Sequence, residues 1–236
     1  MADRYRVVVI DLPGHGIHPD PEFTMERAVA DIGSVLDSVD SAVLVGHSLG
    51  GYVAIRAAAV YPEQVDGLLL AGAAYNWNWR SPVGLVIGVV QHLLSYLYDG
   101  LSHVRRLARR VEHGPNDETQ LPPPHEDTHP YSKGFASGTR EITFRQFWPD
   151  VKTYSGPTLI IHGNEEPIAS HAGGLAARAK ANLRWIDGDH YAPVNNSGTF
   201  TAEVARFLDE VYTDQAVGAA YDDRSRGIRD LLRVVR

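Results

Sequence analysis

The residues best placed to do chemistry lie in the pentapeptide Gly46-His47-Ser48-Leu49-Gly50. It follows the apolar run Ala42 to Val45 and precedes Tyr52, Ile55, Ala58 and Ala59 at helical spacing, up to Pro62. A serine in a tight turn between strand and helix needs neighbours without side chains, because the backbone folds back on itself there. Its hydroxyl then projects above the carboxyl end of the strand, where open α/β sheets place ligands. The next amide, that of Leu49, opens the helix and can donate to an oxyanion with help from the helix dipole. The chemistry this permits is attack by Ser48 on an acyl carbon. A dinucleotide-binding turn is the competing explanation, and the Gly-x-Gly-x-x-Gly it requires is not in the sequence.

Such a turn works only inside a sheet that holds it, and the periodicities supply one. Tyr5 to Ile10, Ala42 to Val45, Val65 to Ala71, Thr158 to Ile161 and Leu183 to Ile186 read as strands; the first, rich in valine, and the second are of the buried, parallel kind. Between them, Ala28, Val29, Ile32, Val35, Leu36 and Val39 form one helical stripe, with Thr24 as cap and Glu26 in the first turn. Ala172 to Ala181 and Thr199 to Tyr212 are also helical in spacing. Alternating strands and helices give an α/β fold, a parallel sheet covered on both faces. Residues 75–149 break that rhythm. Val83 to Val111 is expected to be helical, with Leu93, Leu94, Leu97, Leu101, Val104 and Leu107 as a packed face, followed by the proline-rich loop Gly114 to Pro130. This segment reads as a lid or cap inserted into a core made of residues 1–74 and 150–212. Residues 213–236 read as a tail, in which Ile228, Leu231, Leu232 and Val235 are spaced for a short helix.

Composition narrows the partners. A net charge of −7 is the wrong sign for nucleic acid as the main partner. With no cysteine there is neither disulfide nor thiolate chemistry. The longest greasy stretch, Pro82 to Tyr98, is interrupted by polar residues and is too short to span a bilayer. The chain reads as cytoplasmic, with no membrane partner and with its oligomeric state open. His125-Glu126-Asp127-Thr128-His129 spells a zinc-peptidase motif, but bracketing prolines deny it the helix that would aim both histidines at one metal. No metal is expected, and no cofactor motif stands out.

VLVGHSLGGYVAIRAAAVYPEQVDGLLLAGAA, together with VVVIDLPGHG, PTLIIHGNEEPI and WIDGDHYAP, resembles the α/β-hydrolase superfamily, particularly its lid-bearing esterase, lipase and C–C hydrolase branch. The likeness covers residues 5 to 75 and 150 to 212. It implies a serine hydrolase whose triad runs in the order Ser48, acid, His190. His190 is then the general base, and the acid falls three residues past Gly163, on Glu166, with Glu165 as the neighbouring alternative. A serine rather than an aspartate at position 48 separates the chain from the dehalogenase and epoxide-hydrolase branches. The substrate would be a small ester, thioester or related acyl compound, with His15, Trp77, His92, Tyr96 and Phe147 as candidates to line its pocket.

The resemblance also implies three strands ahead of the one matched by Tyr5 to Ile10, where only MADR stands. The third would sit between Tyr5–Ile10 and Ala42–Val45 and would carry the second oxyanion donor. Direct pairing of those two strands, giving a sheet of about five, is one expectation; a gap is the other. Losing one such donor costs on the order of 100- to 1,000-fold in rate. Three readings therefore stay open. The chain is a fragment of an active enzyme, a weak enzyme with a substitute donor near Gly14 or Gly16, or a noncatalytic relic that binds a ligand or partner.

Overall fold

The computed structural model describes residues 4–18, 22–73, 133–143, 145–166, 171–219 and 230–235, with single positions between 86 and 100. The chain resolves into two compact units. One comprises Met1–Ile10, Val29–Asn76 and Phe147–Val235; the other comprises Asp11–Ala28, Trp77–Gln146 and Arg236.

The first unit is a parallel α/β sheet. Its strands are β1 (Arg6–Asp11), β2 (Ala42–His47), β3 (Val65–Ala71), β4 (Thr158–Gly163), β5 (Asn182–Ile186) and β6 (Asp230–Val235), in the spatial order β1-β6-β2-β3-β4-β5. The pairs β6–β2, β2–β3, β3–β4 and β4–β5 all run parallel. The apolar runs of β2, β3 and β4 are buried almost throughout. That is what two covered faces demand of an interior strand. Helix α1 (Met25–Val39) buries Ala28, Val29, Ile32 and Leu36 along its stripe. Helix α2 (Leu49–Val60) is buried along most of its length, and α4 (Trp148–Thr153) and α5 (Ala172–Ala179) flank β4 in sequence. The long helix α7 (Ser197–Ala219) packs Phe200, Val204, Phe207, Leu208 and Val211 into the core with Val43, Leu69 and Ile161.

Two strands depart from the sequence reading. β1 is not buried: it lies at the sheet edge, and Val7 and Val9 are exposed. Nor do the described residues of the tail form a separate short helix: 213–219 continue α7, and Leu231, Leu232 and Val235 lie on a strand. Asp230–Val235 pairs with β2 from Ala42↔Asp230 to Gly46↔Val234, and it stands between β1 and β2. Direct β1–β2 pairing is therefore replaced by an interior sixth strand. The physical reason is the ladder along β2. Its backbone groups need partners on both sides once they leave water, and that demand outweighs the i, i+3, i+4 spacing of so short a segment.

In the second unit, Thr24 caps α1 by accepting from the Arg27 amide at 3.3 Å. Helix α3 (Lys133–Thr143) is tied to the loop after β1: the Phe23 amide donates to Ser137 Oγ at 2.7 Å, and Arg145 bridges Glu26 and Glu141. Gly134 and Gly14 approach so closely that a Cβ on either would collide with the other's backbone, and Gly14 has φ +76°. Described positions between 86 and 100 are helical, as expected, but the packed face is not seen: Val86, Leu93, Tyr96 and Leu97 are more than half exposed. Leu101, Val104, Leu107 and the 125–129 motif lie outside the described residues. Among the described residues no helix is long and apolar enough to cross a membrane.

The interior position of β6 yields a test. Leu232→Pro removes a ladder donor opposite Leu44 and leaves a carbonyl unpaired. It should lower unfolding free energy by about 1–3 kcal/mol. A urea melt of the full chain, compared with the melt of wild type, measures the loss.

Candidate active site

Ser48 occupies the turn between β2 and α2 at φ 51°, ψ −119°, a left-handed conformation that a residue with a side chain rarely adopts. The sheet holds it there, since the Ser48 amide donates to the Ala71 carbonyl of β3 at 2.9 Å. The turn closes only because Gly46 has no side chain: a Cβ there would strike the Gly50 carbonyl and Gly51 Cα. Leu49 is the first residue of α2, so its amide is a first-turn donor without an acceptor inside the helix.

His190 lies in the loop between β5 and α6 (Ala192–Asn195), and its Nε2 is 3.0 Å from Ser48 Oγ. Its Nδ1 donates to Glu166 Oε1 at 2.6 Å. With that proton on Nδ1, Nε2 of the neutral ring accepts the serine hydroxyl. Glu166 follows β4, and its side chain is 1% exposed against 30% for His190. Glu166 is thus enclosed, and His190 faces outward. Glu165 is exposed, as are Asp187 and Asp189. Asp187 accepts from the Asn164 amide group, and Asp189 caps the Tyr191 backbone N–H. Of the two adjacent glutamates, Glu166 is the one whose carboxylate meets His190.

Two loops must hold their spacing for this chain of bonds to exist, and they are laced together. The Asn164 amide donates to Ile186 O, the Glu165 amide donates to Gly188 O, and Asn164 Oδ1 accepts from the Gly188 amide. Gly163 permits the approach, since a Cβ there would collide with the Gly188 and Asp189 carbonyls. Gly72, at φ +58°, clears space for the imidazole: a Cβ would sit 3.1 Å from His190 Nδ1 and Cε1.

Two histidines outside the predicted set also belong to the site. His47 does not aim at Ser48. Its Nε2 donates to the His190 carbonyl at 2.8 Å, with the two rings 4.9 Å apart, so it anchors the backbone of the histidine loop. His162, on β4, donates from Nδ1 to the second oxygen of Glu166 at 2.6 Å. His162 was visible in the sequence only as the residue before Gly163, four positions from Glu166.

Burial pushes the Glu166 carboxyl upward, but the hydrogen bonds and positive character of His162 and His190 outweigh it, bringing the carboxyl down to about 2. Of the expected pocket residues, Phe147 is buried against the Tyr52 ring of α2 at 4.7 Å, a packing position. His15 is occupied in its own loop, with Nδ1 3.0 Å from Pro13 O and its ring edge-on to Phe23. Tyr96 is exposed beneath the Arg140 guanidinium. Trp77 and His92 lie outside the described residues.

A family model described as "Alpha/beta hydrolase family" matches residues 1–205. The chain belongs to that family. Among hydrolase relatives, the pimeloyl-[acyl-carrier protein] methyl ester esterase of Stenotrophomonas maltophilia is 24% identical over 234 aligned residues, covering 88% of this chain and 84% of that protein. The 1-acylglycerol-3-phosphate O-acyltransferase of Arabidopsis thaliana is 36% identical over 83 residues, 31% of this chain and 20% of its own length, so the chain spans about a fifth of that relative. Among solved structures, the enol-lactonase of Burkholderia xenovorans superposes with TM-score 0.62 at 20% identity, over 84% of this chain and 78% of the other. That likeness places the sheet and its turns within the hydrolase fold.

Because Glu166 is held below its ordinary value, its contribution to stability is full above about pH 4.5 and is lost as pH falls toward about 2. Relative to Glu166→Gln, wild type should lose about 3 kcal/mol of stability across that window. Chemical denaturation of both proteins from pH 5 to pH 2 checks the sign and the size.

Proposed function

We propose that the protein is a cofactor-independent serine hydrolase that cleaves a small ester, thioester or related acyl compound through an acyl-Ser48 intermediate. The observation that carries this reading is the continuous chain Ser48 Oγ, His190 Nε2, His190 Nδ1, Glu166 Oε1, with contacts of 3.0 and 2.6 Å. The alignment with a methyl ester esterase over 88% of this chain supports ester-type substrates.

In this mechanism Ser48 Oγ attacks the acyl carbon while His190 Nε2 takes its proton. Negative charge gathers on the former carbonyl oxygen, where the Leu49 amide donates at the start of α2. The tetrahedral species collapses, the bond to the leaving group breaks, and His190 returns the proton to the departing alcohol or thiol. Water then loses a proton to His190 and attacks the acyl-enzyme, and Ser48 leaves with that proton restored. Glu166 stays ionised throughout; it holds the Nδ1–H tautomer and stabilises the transient imidazolium. A small acyl compound is the only partner this chemistry requires.

A fluorophosphonate probe should label wild type and leave Ser48→Ala unlabelled. Turnover of p-nitrophenyl acetate or butyrate should fall by about 10⁴-fold or more in Ser48→Ala and His190→Ala. Folded wild type that neither takes the probe nor turns over either ester in a Ser48-dependent manner would make the chain a noncatalytic member of its family.

A further inference from the structure

The triad needs one imidazole on its carboxylate, and this structure supplies two. Resting on the hydrolase reading above, we propose that His162 is a positioning residue: it clamps Oε2 of Glu166 so that Oε1 stays aimed at His190.

The case is geometric. His162 sits on β4, its side chain has no solvent exposure, and Nδ1 is 2.6 Å from Oε2. An ionised carboxylate only accepts, so Nδ1 must carry the proton whether the ring is neutral or charged. His162 therefore cannot serve as a base toward Glu166; it is a fixed donor. A glutamate has one more rotatable bond than an aspartate, and its carboxylate can turn about its own axis while keeping one contact. Two donors from different elements, His162 on a rigid interior strand and His190 on a loop, remove that freedom. Both bonds are short and both lie in a dry site, where an unpaired carboxylate oxygen is costly. The backbone offers little latitude to His162 itself. It is in register with Trp185 of β5, whose ring is 6.2 Å away, and the next residue, Gly163, is pressed against the histidine loop.

Charge flow follows from the same clamp. The groups facing Glu166 are His162 and His190; those facing His190 are Glu166, Ser48, His47 at 4.9 Å between rings and Tyr191 at 5.6 Å. His162 draws negative charge toward Oε2. Without it, more of the Glu166 charge falls on His190 and favours the imidazolium.

The experiment compares wild type, His162→Leu and His162→Asn in the full chain, with p-nitrophenyl butyrate kinetics from pH 4 to 9. Leucine removes the donor; the asparagine amide nitrogen falls near the position of Nδ1 and keeps it. Expected for Leu is a kcat about 10- to 100-fold lower with KM little changed, and an acid limb of kcat/KM moved to higher pH. Asparagine should restore the limb and bring kcat within about threefold of wild type. A folded Leu variant with wild-type kcat and limb overturns the proposal. So do Leu and Asn variants that are equally slow with an unmoved limb, the mark of packing alone. Histidine ¹⁵N spectra of wild type supply a readout independent of turnover and of any variant. A His162 Nδ1 that carries no proton overturns the clamp even if the protein is an active hydrolase. A protonated Nδ1 in a protein without Ser48-dependent turnover keeps the clamp and rejects the hydrolase.

Discussion

A carboxylate shut away from water must satisfy both of its oxygens within the protein, and most of the site follows from how Glu166 does so. One oxygen meets a histidine on an interior strand and the other a histidine on a loop. The pairing keeps the acid ionised despite its enclosure, which is the condition for it to fix a tautomer on His190. Burial by itself pushes the carboxyl the other way, toward its neutral form. The loops after β4 and β5 are consequently not free to drift, because any separation would strand a charge.

The scaffold answers that demand with backbone as much as with side chains. Asn164 laces the turn after β4 to the turn after β5, and Gly163 lets the two strand ends approach. On the other side, Gly46 allows the backbone to fold back at Ser48, and Gly72 leaves room for the imidazole. Strain at Ser48 is tolerated because the Ala71 carbonyl holds its own amide and the next residue opens α2. These glycines lie at the carboxyl ends of β2, β3 and β4, so the site is a property of one edge of the sheet.

Much of this was legible in the sequence, where a local pattern carries a local conformation. The turn at Ser48 was readable because glycine, serine and a strand-to-helix change of period coincide there. Buried strands β2 to β4 announce themselves as apolar runs. That Glu166 and not Glu165 meets His190 took three dimensions to see, since of these two neighbours only one is enclosed. His47 and His162 were spelled out but silent, because a hydrogen bond from His47 to the His190 carbonyl spans more than half the chain. The exposed face of β1 was misread for the opposite reason: valines indicate a strand but not whether a neighbour covers it. The tail misled more thoroughly, as helical spacing in a short segment is weak evidence against the pull of an unfilled ladder.

That sixth strand has a kinetic consequence. Its pairing with β2 joins residues near the start of the sequence to residues near position 230, so the middle of the sheet is assembled from its most distant parts. Closing so large a loop is entropically slow, and it must occur before that pairing contributes anything in return. Until then the edge of the strand leading to Ser48 is open, with unpaired amides and carbonyls of the sort that recruit other chains. Such a fold renatures best when dilute. Self-association competes hardest against the docking of this one strand, so the yield of native protein depends on which of them reaches β2 first.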